Sequence, residues 1–326
     1  MALQQVAQNP VSATAPRQPR HWGGNSRVSS ALTRFPAMGI RLGAMSDDRN
    51  HTSGQLFDYS AQRRARERAN RLDGDRFLEK AALEGVIDRL SAVTRTFEKG
   101  LWIGDAVPNE IQPFANNWQR AEFDAQEVLK TADGPFDLAL SLFSLQGIND
   151  LPGALIQIRA SLKPDGLFLA ALLGGNTLTE LRQTFAQAEI ATRGGISPRV
   201  APFADVRDLG GLLQRAGFAL PVSDVERLTV RYRDFYALAR DLRAHGFTNV
   251  MSERSRRFLR RDTLAALLQH YAGHVAEDGK LPARFDTLYL TGWVPHESQQ
   301  KPLKPGSATT RLAQVLGTDE HRLKND

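Results

Sequence analysis

The sequence predicts an α/β fold with a mostly parallel sheet, because short apolar segments alternate with segments of helical periodicity. Nearly continuous apolar runs occupy residues 101–104, 136–143 and 167–173. Continuous rather than alternating apolarity is typical of parallel strands that helices cover on both faces. A helical segment separates the second run from the third, so strand, helix and strand are expected to form a right-handed crossover.

Two helices are predicted before the first strand. Apolar residues recur at helical spacing across 56–72, where arginines cover the remaining positions, and this pattern indicates a basic amphipathic helix. Asp75 is expected to cap a second helix over 77–93. We therefore expect a helical cap over residues 53–95, at the start of a domain spanning 51–300.

The helix between the second and third strands is expected to begin at Asn149 or Asp150, with Pro152 in its first turn. A further helix follows Asp205, and Gly217 ends it at the usual left-handed position. The remaining pattern predicts strands at 222–232 and 285–294, a helical insertion at 234–275 and a flexible tail at 301–326.

Composition excludes several chemistries. The chain has 326 residues, of which 41% are apolar, and this suffices for a large core. It contains no cysteine, so disulfides, thiolate zinc sites and cysteine nucleophiles are excluded. No apolar stretch reaches the roughly 18–20 residues that span a bilayer. A soluble or peripherally membrane-associated protein is expected.

The net charge of +6 is concentrated in the first 46 residues, which contain five arginines, no lysine and no acidic residue. Residues 1–50 are therefore predicted to be a disordered arginine-rich leader. A mitochondrial transit peptide has this composition. The alternatives are an unstructured extension, or sequence upstream of a true start at Met45.

Several motifs resemble those of class I S-adenosylmethionine-dependent methyltransferases, namely Phe136-Asp137-Leu138, Asn149-Asp150-Leu151-Pro152 and Leu162-Lys163-Pro164-Asp165-Gly166. Others are more specific and resemble the complex I assembly factor five family, which is itself similar to biotin-pathway malonyl methyltransferases. These are Gly174-Gly175-Asn176-Thr177-Leu178, Glu180-Leu181-Arg182, Gly194-Gly195-Ile196-Ser197-Pro198-Arg199, Asp208-Leu209-Gly210, Arg215-Ala216-Gly217-Phe218 and the segment 292–299.

The resemblance implies a Rossmann-like sheet whose last strand is antiparallel, S-adenosylmethionine as cofactor, and a protein substrate, such as a complex I subunit. The family is associated with modification of an arginine on such a subunit, with hydroxylation as the chemistry, whereas bacterial members are described as methyltransferases. The implied location is the cytoplasm in a bacterium, and the mitochondrial matrix or inner-membrane face in a eukaryote.

The chain departs from this family pattern after the first strand. The expected glycine-rich turn is Gly104-Asp105-Ala106-Val107-Pro108-Asn109, with one glycine and a proline that lacks an amide donor. Only 31 residues, 105–135, precede the next strand. We therefore predict that a strand or helix has been lost or shortened here.

The resemblance places the cofactor at the carboxyl ends of the strands. Glu122 and Asp124 are candidates for binding the ribose hydroxyls, if a strand over 118–124 ends there; the alternative is that they are solvated loop carboxylates. Gln146 and Gly147 stand where relatives carry a histidine and a tryptophan. The predicted cofactor-binding residues are Gly104, Asp105, Glu122, Asp124, Ser141, Ser144 and Gln146.

Substrate-binding candidates follow the third apolar run. Two glycines and a polar pair allow backbone amides to approach a carboxylate or phosphate; alternatively, Asn176 or Thr177 caps the next helix. Arginines are suited to bidentate binding of acidic groups, although most are solvated. The predicted substrate-binding residues are Gly174, Gly175, Asn176, Thr177, Arg182, Arg199 and His296; no catalytic residue is assigned.

Histidines and basic runs are the remaining candidate features for binding a metal or a nucleic acid. His270 and His274 share a helical face, but no carboxylate pattern accompanies them, so no metal site is expected. Basic runs at 63–71 and 254–261 contain one interleaved aromatic residue, Phe258, and no nucleic-acid motif. No DNA partner is expected.

Three function hypotheses remain. The first is a methyltransferase or related modifying enzyme, in which positioning and exclusion of water assist in-line attack on the donor methyl group. The second is a catalytically degenerate assembly chaperone. The third is an RNA methyltransferase.

Overall fold

The computed structural model describes residues 54–72, 74–132, 134–300, 310 and 317–318. The expected leader, residues 1–50, and nearly all of the expected tail lie outside the described residues. Within the described part of the chain, no helix is both long enough and apolar enough to cross a membrane.

A mixed six-stranded sheet forms the centre of the fold, in the order β2-β1-β3-β4-β6-β5. The first four strands pair in parallel, while β6 runs antiparallel to both of its neighbours. The predicted fold class is therefore confirmed. The strands are β1 (Phe97–Ile103), β2 (Ala115–Ala121), β3 (Phe136–Leu142), β4 (Leu162–Gly174), β5 (Ala219–Tyr232) and β6 (Leu281–Trp293).

Helices cover both faces of the sheet. Four of them, α2, α4, α6 and α7, contribute to one apolar cluster, whereas α3 and α5 contribute to the other. Successive residues of β3 and β4 alternate between the two clusters, as strand geometry requires. The helices are α1 (Tyr59–Arg71), α2 (Phe77–Ser91), α3 (Leu151–Ser161), α4 (Thr179–Arg193), α5 (Val206–Arg215), α6 (Phe235–Ala244) and α7 (Arg261–Ala272).

The segment between β1 and β3 is shortened, as predicted. It holds a 3-10 helix, Asn109–Phe114, and then β2, which forms the edge of the sheet. Among the described residues between β2 and β3 there is only an isolated bridge from Phe123 to Leu129. The chain therefore reaches β3 without adding a strand outside β2.

Two of the predicted helix caps are wrong. Arg76 occupies the N-cap position of α2, and Asp75 forms an ion pair with Lys80 instead. Leu178, in a left-handed conformation, precedes α4, so neither of the polar residues before it caps that helix. The prediction for α3 is confirmed, because Asp150 accepts a hydrogen bond from the amide of Gly153.

Candidate functional site

A cavity of about 450 Å³ lies at the carboxyl ends of the parallel strands. Its volume is typical of small-molecule sites. The turn after β1 and the loop after β3 form one side, and α1, α4, α6 and the segments next to them form the others. Of the residues predicted to bind a cofactor or substrate, Asp105, Ser144, Gln146 and Arg199 line it.

The turn after β1 is tightly packed at Gly104. This residue has a φ of +151°, and an added Cβ would lie 2.8 Å from Oγ of Ser144. The indole of Trp102 donates a 3.0 Å hydrogen bond to the carbonyl oxygen of Asp105. The glycine therefore allows the two strand-end loops to meet, while Asp105 is exposed at the cavity.

The loop after β3 is held by two glutamines. Gln146 accepts a 2.9 Å hydrogen bond from the amide of Leu173. Gln62 of α1 donates a 2.8 Å hydrogen bond to the carbonyl oxygen of Gly147, and a Cβ at Gly147 would lie only 1.6 Å from its amide nitrogen. Gln62 thus fills the space that a larger side chain at position 147 would need.

A second pocket of about 20 Å³ lies beside the first, near the ends of β1 and β2. Gln62, Arg66, Ser144 and Gly147 line both pockets. The side chains of α1 therefore divide the crevice above the strand ends into a large compartment and a very small one.

Glu122 and Asp124 line the small pocket, together with Gly104. The β2 strand ends at Ala121, earlier than the predicted 118–124 segment, so both acids lie beyond it. Glu122 pairs with Arg120, which also donates a 2.9 Å hydrogen bond to the carbonyl oxygen of Gly104.

The carboxylate of Asp124 is occupied within its own turn. It accepts hydrogen bonds of 2.9 and 3.0 Å from the amides of Gln126 and Val128 and pairs with Lys130 at 3.1 Å. The bond from Val128 is the largest of several contributions that lower the pKa of Asp124. This geometry makes Glu122 the better placed of the two acids for a ligand.

The predicted residue Ser141 lines neither pocket. It lies within β3, where its hydroxyl group is buried and has no hydrogen-bond partner among the described residues. The structure therefore does not bring it together with the other candidates.

The turn from Gly174 to Thr177 is bonded to β6 rather than open to the cavity. The Thr177 hydroxyl donates a 2.8 Å bond to the carbonyl oxygen of Gly174 and accepts a 3.0 Å bond from the amide of Asp286. The amide of Asn176 donates to the Asp286 carboxylate at 3.3 Å. Neither these residues nor Gly175 are among those that line the cavity.

Arg199 lines the cavity but is held by a buried carboxylate. Its guanidinium donates bonds of 2.9 and 2.6 Å to Glu189, whose side chain is fully buried. The amide and hydroxyl of Ser197 also donate to Glu189, at 2.6 and 2.7 Å. This network fixes Ser197 and Arg199, the end of the Gly194 to Arg199 motif, against α4, which carries Glu189.

The other two predicted substrate residues lie outside the cavity lining. Arg182 donates a 3.0 Å bond to the carbonyl oxygen of Ala201. His296 follows β6, whose last residue, Trp293, pairs with Leu167 near the start of β4. It is therefore exposed at the opposite end of the sheet, because β6 runs antiparallel.

Sequence reasoning missed a buried cluster beside the cavity. His245 hydrogen-bonds Glu79 through Nδ1, and its buried Nε2 lies 3.7 Å from Asp241 without a hydrogen-bond partner among the described residues. Asp241 accepts a bond from the Tyr232 hydroxyl, and burial together with this bond raises the Tyr232 pKa. Glu79 and His245 are 166 residues apart, so no local pattern connects them.

The described residues contain no group of three or more His, Cys, Asp or Glu side chains arranged to hold a metal ion. His274 lies beyond the end of α7, which carries His270.

Comparisons with known proteins identify the family to which this chain belongs. The family described as a methyltransferase domain matches residues 46–221. The zebrafish protein named arginine-hydroxylase NDUFAF5, mitochondrial, is 37% identical over 289 residues, which cover 80% of this chain and 89% of that protein. The human protein of that name is 42% identical over 191 residues, or 58% of this chain and 55% of the relative.

Two further similarities are more distant. A malonyl-[acyl-carrier protein] O-methyltransferase from Laribacter hongkongensis is 37% identical over 180 residues, covering 55% of this chain and 58% of that protein. The solved YcgJ protein from Bacillus subtilis is 11% identical, with a TM-score of 0.43 over 65% of this chain and 99% of that one. On the domain match and the zebrafish relative, the chain belongs to the methyltransferase-domain family and, within it, to the family of the NDUFAF5 proteins.

Proposed function

We propose that the protein is an S-adenosylmethionine-dependent modifying enzyme that acts on a protein substrate during assembly of respiratory complex I. The observation that carries the proposal is the cavity at the carboxyl ends of β1 and β3, lined by Asp105, Ser144 and Gln146. In open α/β sheets, ligands bind outside these strand ends. The cytoplasm or the mitochondrial matrix is the corresponding compartment, and relatives carry "mitochondrial" in their names.

The residues present accommodate the amino-acid end of S-adenosylmethionine better than its adenosyl end. The large compartment has room for its amino-acid end, beside the carboxylate of Asp105. The small compartment, beside Glu122, is too narrow for an adenosyl group, because Gln62 and Arg66 of α1 stand between the two. A bound donor would therefore be held by Gly104, Asp105, Glu122 and Ser144 once these α1 side chains move.

When bound, the donor supplies an activated methyl group. The chain contributes positioning and exclusion of water: α1 covers the crevice, and Trp102 fixes the turn that carries Asp105. The Asp105 carboxylate has no hydrogen-bond or ion-pair partner among the described residues, so it is free to bind a cationic group such as an ammonium or guanidinium.

Arginine hydroxylation is the second candidate function, favoured by the name that the NDUFAF5 relatives carry. Degeneration into an assembly chaperone is the third, favoured by the narrow adenosyl side and by Ala106 and Pro108 in the donor turn. The RNA methyltransferase hypothesis gains less support, because Arg254 of the second basic run is committed to Asp58 at 2.9 Å.

Mass spectrometry of complex I subunits, with and without the protein, separates these functions. A methylene added to a subunit supports methyl transfer, an added oxygen atom supports hydroxylation, and an assembly defect without modification supports the chaperone. Asp105→Asn removes the negative charge of this one side chain and is expected to reduce modification about tenfold or more. Glu110→Gln is the control, since Glu110 is exposed nearby and does not line the cavity.

Gln62→Ala is expected to increase the affinity for S-adenosylmethionine about tenfold, equivalent to about 1.4 kcal/mol. The substitution removes the side chain that contacts the loop at Gly147. Its removal joins the two compartments. Isothermal titration of both proteins measures the change.

Ser60→Ala is the matched control for this experiment. Ser60 is an exposed polar residue of the same helix and lines neither compartment. Unchanged or weaker donor binding by Gln62→Ala would contradict the role of α1 as a barrier.

A further inference from the structure

The charged side chains that line the large cavity are not balanced. Arg199 and Glu79 have strong partners in Glu189 and His245. By contrast, the guanidinium groups of Arg66 and Arg243 form no hydrogen bond or ion pair with any other described residue. Asp105 is an acid without such a partner, so the uncompensated charge of these side chains is positive.

The packing of α1 against α6 brings the two arginines to the same part of the wall. At Gly246, three residues after Arg243, an added Cβ would lie 3.8 Å from the Cα of Arg66 and 3.5 Å from Cβ of Ala69. Arg76 also lines the cavity and donates a 2.7 Å bond to the neutral side chain of Asn70. Arg66 is half-buried and Arg243 is exposed, and both line the cavity, so an anion bound here gains attraction from both arginines.

Another part of the cavity lining is apolar. Phe185 and Phe235 meet edge to face at 6.3 Å, and Phe203, Phe247, Leu181 and Leu238 extend this wall. Arg199, which lies against Phe185, is neutralised by Glu189. An occupant with one anionic end and an apolar body therefore matches the cavity along its length.

We propose that this cavity binds an amphipathic carboxylic acid, with its carboxylate at Arg66 and Arg243 and its apolar chain against Phe185 and Phe235. The inference goes beyond the proposed function, because it requires neither a donor nor a protein substrate. It also bears on that function: two unpaired guanidinium groups repel a cationic acceptor, and a bound acid removes this repulsion.

The test uses decanoate and decanol, which share a chain and differ in charge. Titration calorimetry of the full-length protein, below micelle-forming concentrations, is expected to show that decanoate binds about tenfold more tightly than decanol. In the Arg66→Gln/Arg243→Gln double variant this preference disappears, while decanol affinity is unchanged. Retained decanol binding also shows that the variant is folded.

Arg64→Gln is the matched control, because Arg64 is an exposed arginine of α1 that does not line the cavity. Its preference for decanoate should equal that of the unmodified protein. Equal affinity for the two probes, no binding of either, or a preference that persists in the double variant would overturn the inference. Decanoate binding without S-adenosylmethionine binding would count against the proposed function alone.

Discussion

Replacement of Glu189 by alanine is expected to lower the free energy of unfolding by about 3–5 kcal/mol, the usual cost of removing one partner of a buried ion pair. The Glu189 carboxylate is fully buried and receives bonds from Ser197 and Arg199. Without it, the largely buried guanidinium of Arg199 loses its main partner, and Ser197 loses the acceptor for both its amide and its hydroxyl.

The same group predicts a pH dependence. Burial alone would raise the pKa of Glu189, but bonds from the amide and hydroxyl of Ser197 and from Arg199 outweigh it and hold the pKa below its ordinary value of 4.5. A lowered pKa stabilises the fold at pH values above the ordinary one. This contribution is lost as the pH falls through the lowered pKa.

Urea unfolding at neutral pH and in acid measures both effects. The difference between the unmodified protein and Glu189→Gln should shrink as the pH falls below about 4.5. Arg193→Ala is the matched control, because Arg193 pairs with the same carboxylate at 3.2 Å from a more exposed position and should cost about 0.5 kcal/mol. A loss for Glu189→Ala no larger than that of Arg193→Ala would contradict the prediction.

The order of strands and helices could be predicted because it depends on local patterns. The apolar run at 136–143 and the cap at Asp150 each specify one element from its own residues. The shortened segment after β1 could also be predicted, because 31 residues are too few for the strands and helices that usually lie between these two strands. The start of α2 at Phe77 followed from its helical periodicity, whereas its capping residue, Arg76, makes no side-chain capping hydrogen bond that the sequence could indicate.

The sequence predicted only those residues of the candidate site whose positions are set by the course of the backbone. Asp105 and Ser144 follow parallel strands, so their positions at the cavity follow from topology. The partners of side chains come from distant parts of the chain instead. Gln62 and Gly147 are 85 residues apart, and Arg66 of α1 lines the same cavity as Arg243 of α6.

Gly174→Ala is expected to lower the free energy of unfolding by about 1–3 kcal/mol through overpacking. An added Cβ would lie 2.0 Å from Cδ1 of Leu288, 2.4 Å from its Cγ and 3.0 Å from the carbonyl oxygen of Ala204. Leu288 is buried between β4 and β5, so its side chain has little room to move away. Thermal or urea unfolding measures the loss.

Two further variants test whether Gly174 is needed because of its contact with Leu288. Gly195→Ala is the control, because an added Cβ there meets nothing within 4 Å and should change stability little. In a double-mutant cycle with Leu288→Ala, the added methyl group occupies part of the space that the leucine leaves, so the two losses should sum to more than the double variant shows. If Gly174 instead serves to let a ligand approach the backbone, Gly174→Ala would weaken binding without destabilising the protein. Additive losses would contradict the contact with Leu288, and an unchanged unfolding midpoint would contradict overpacking at this position.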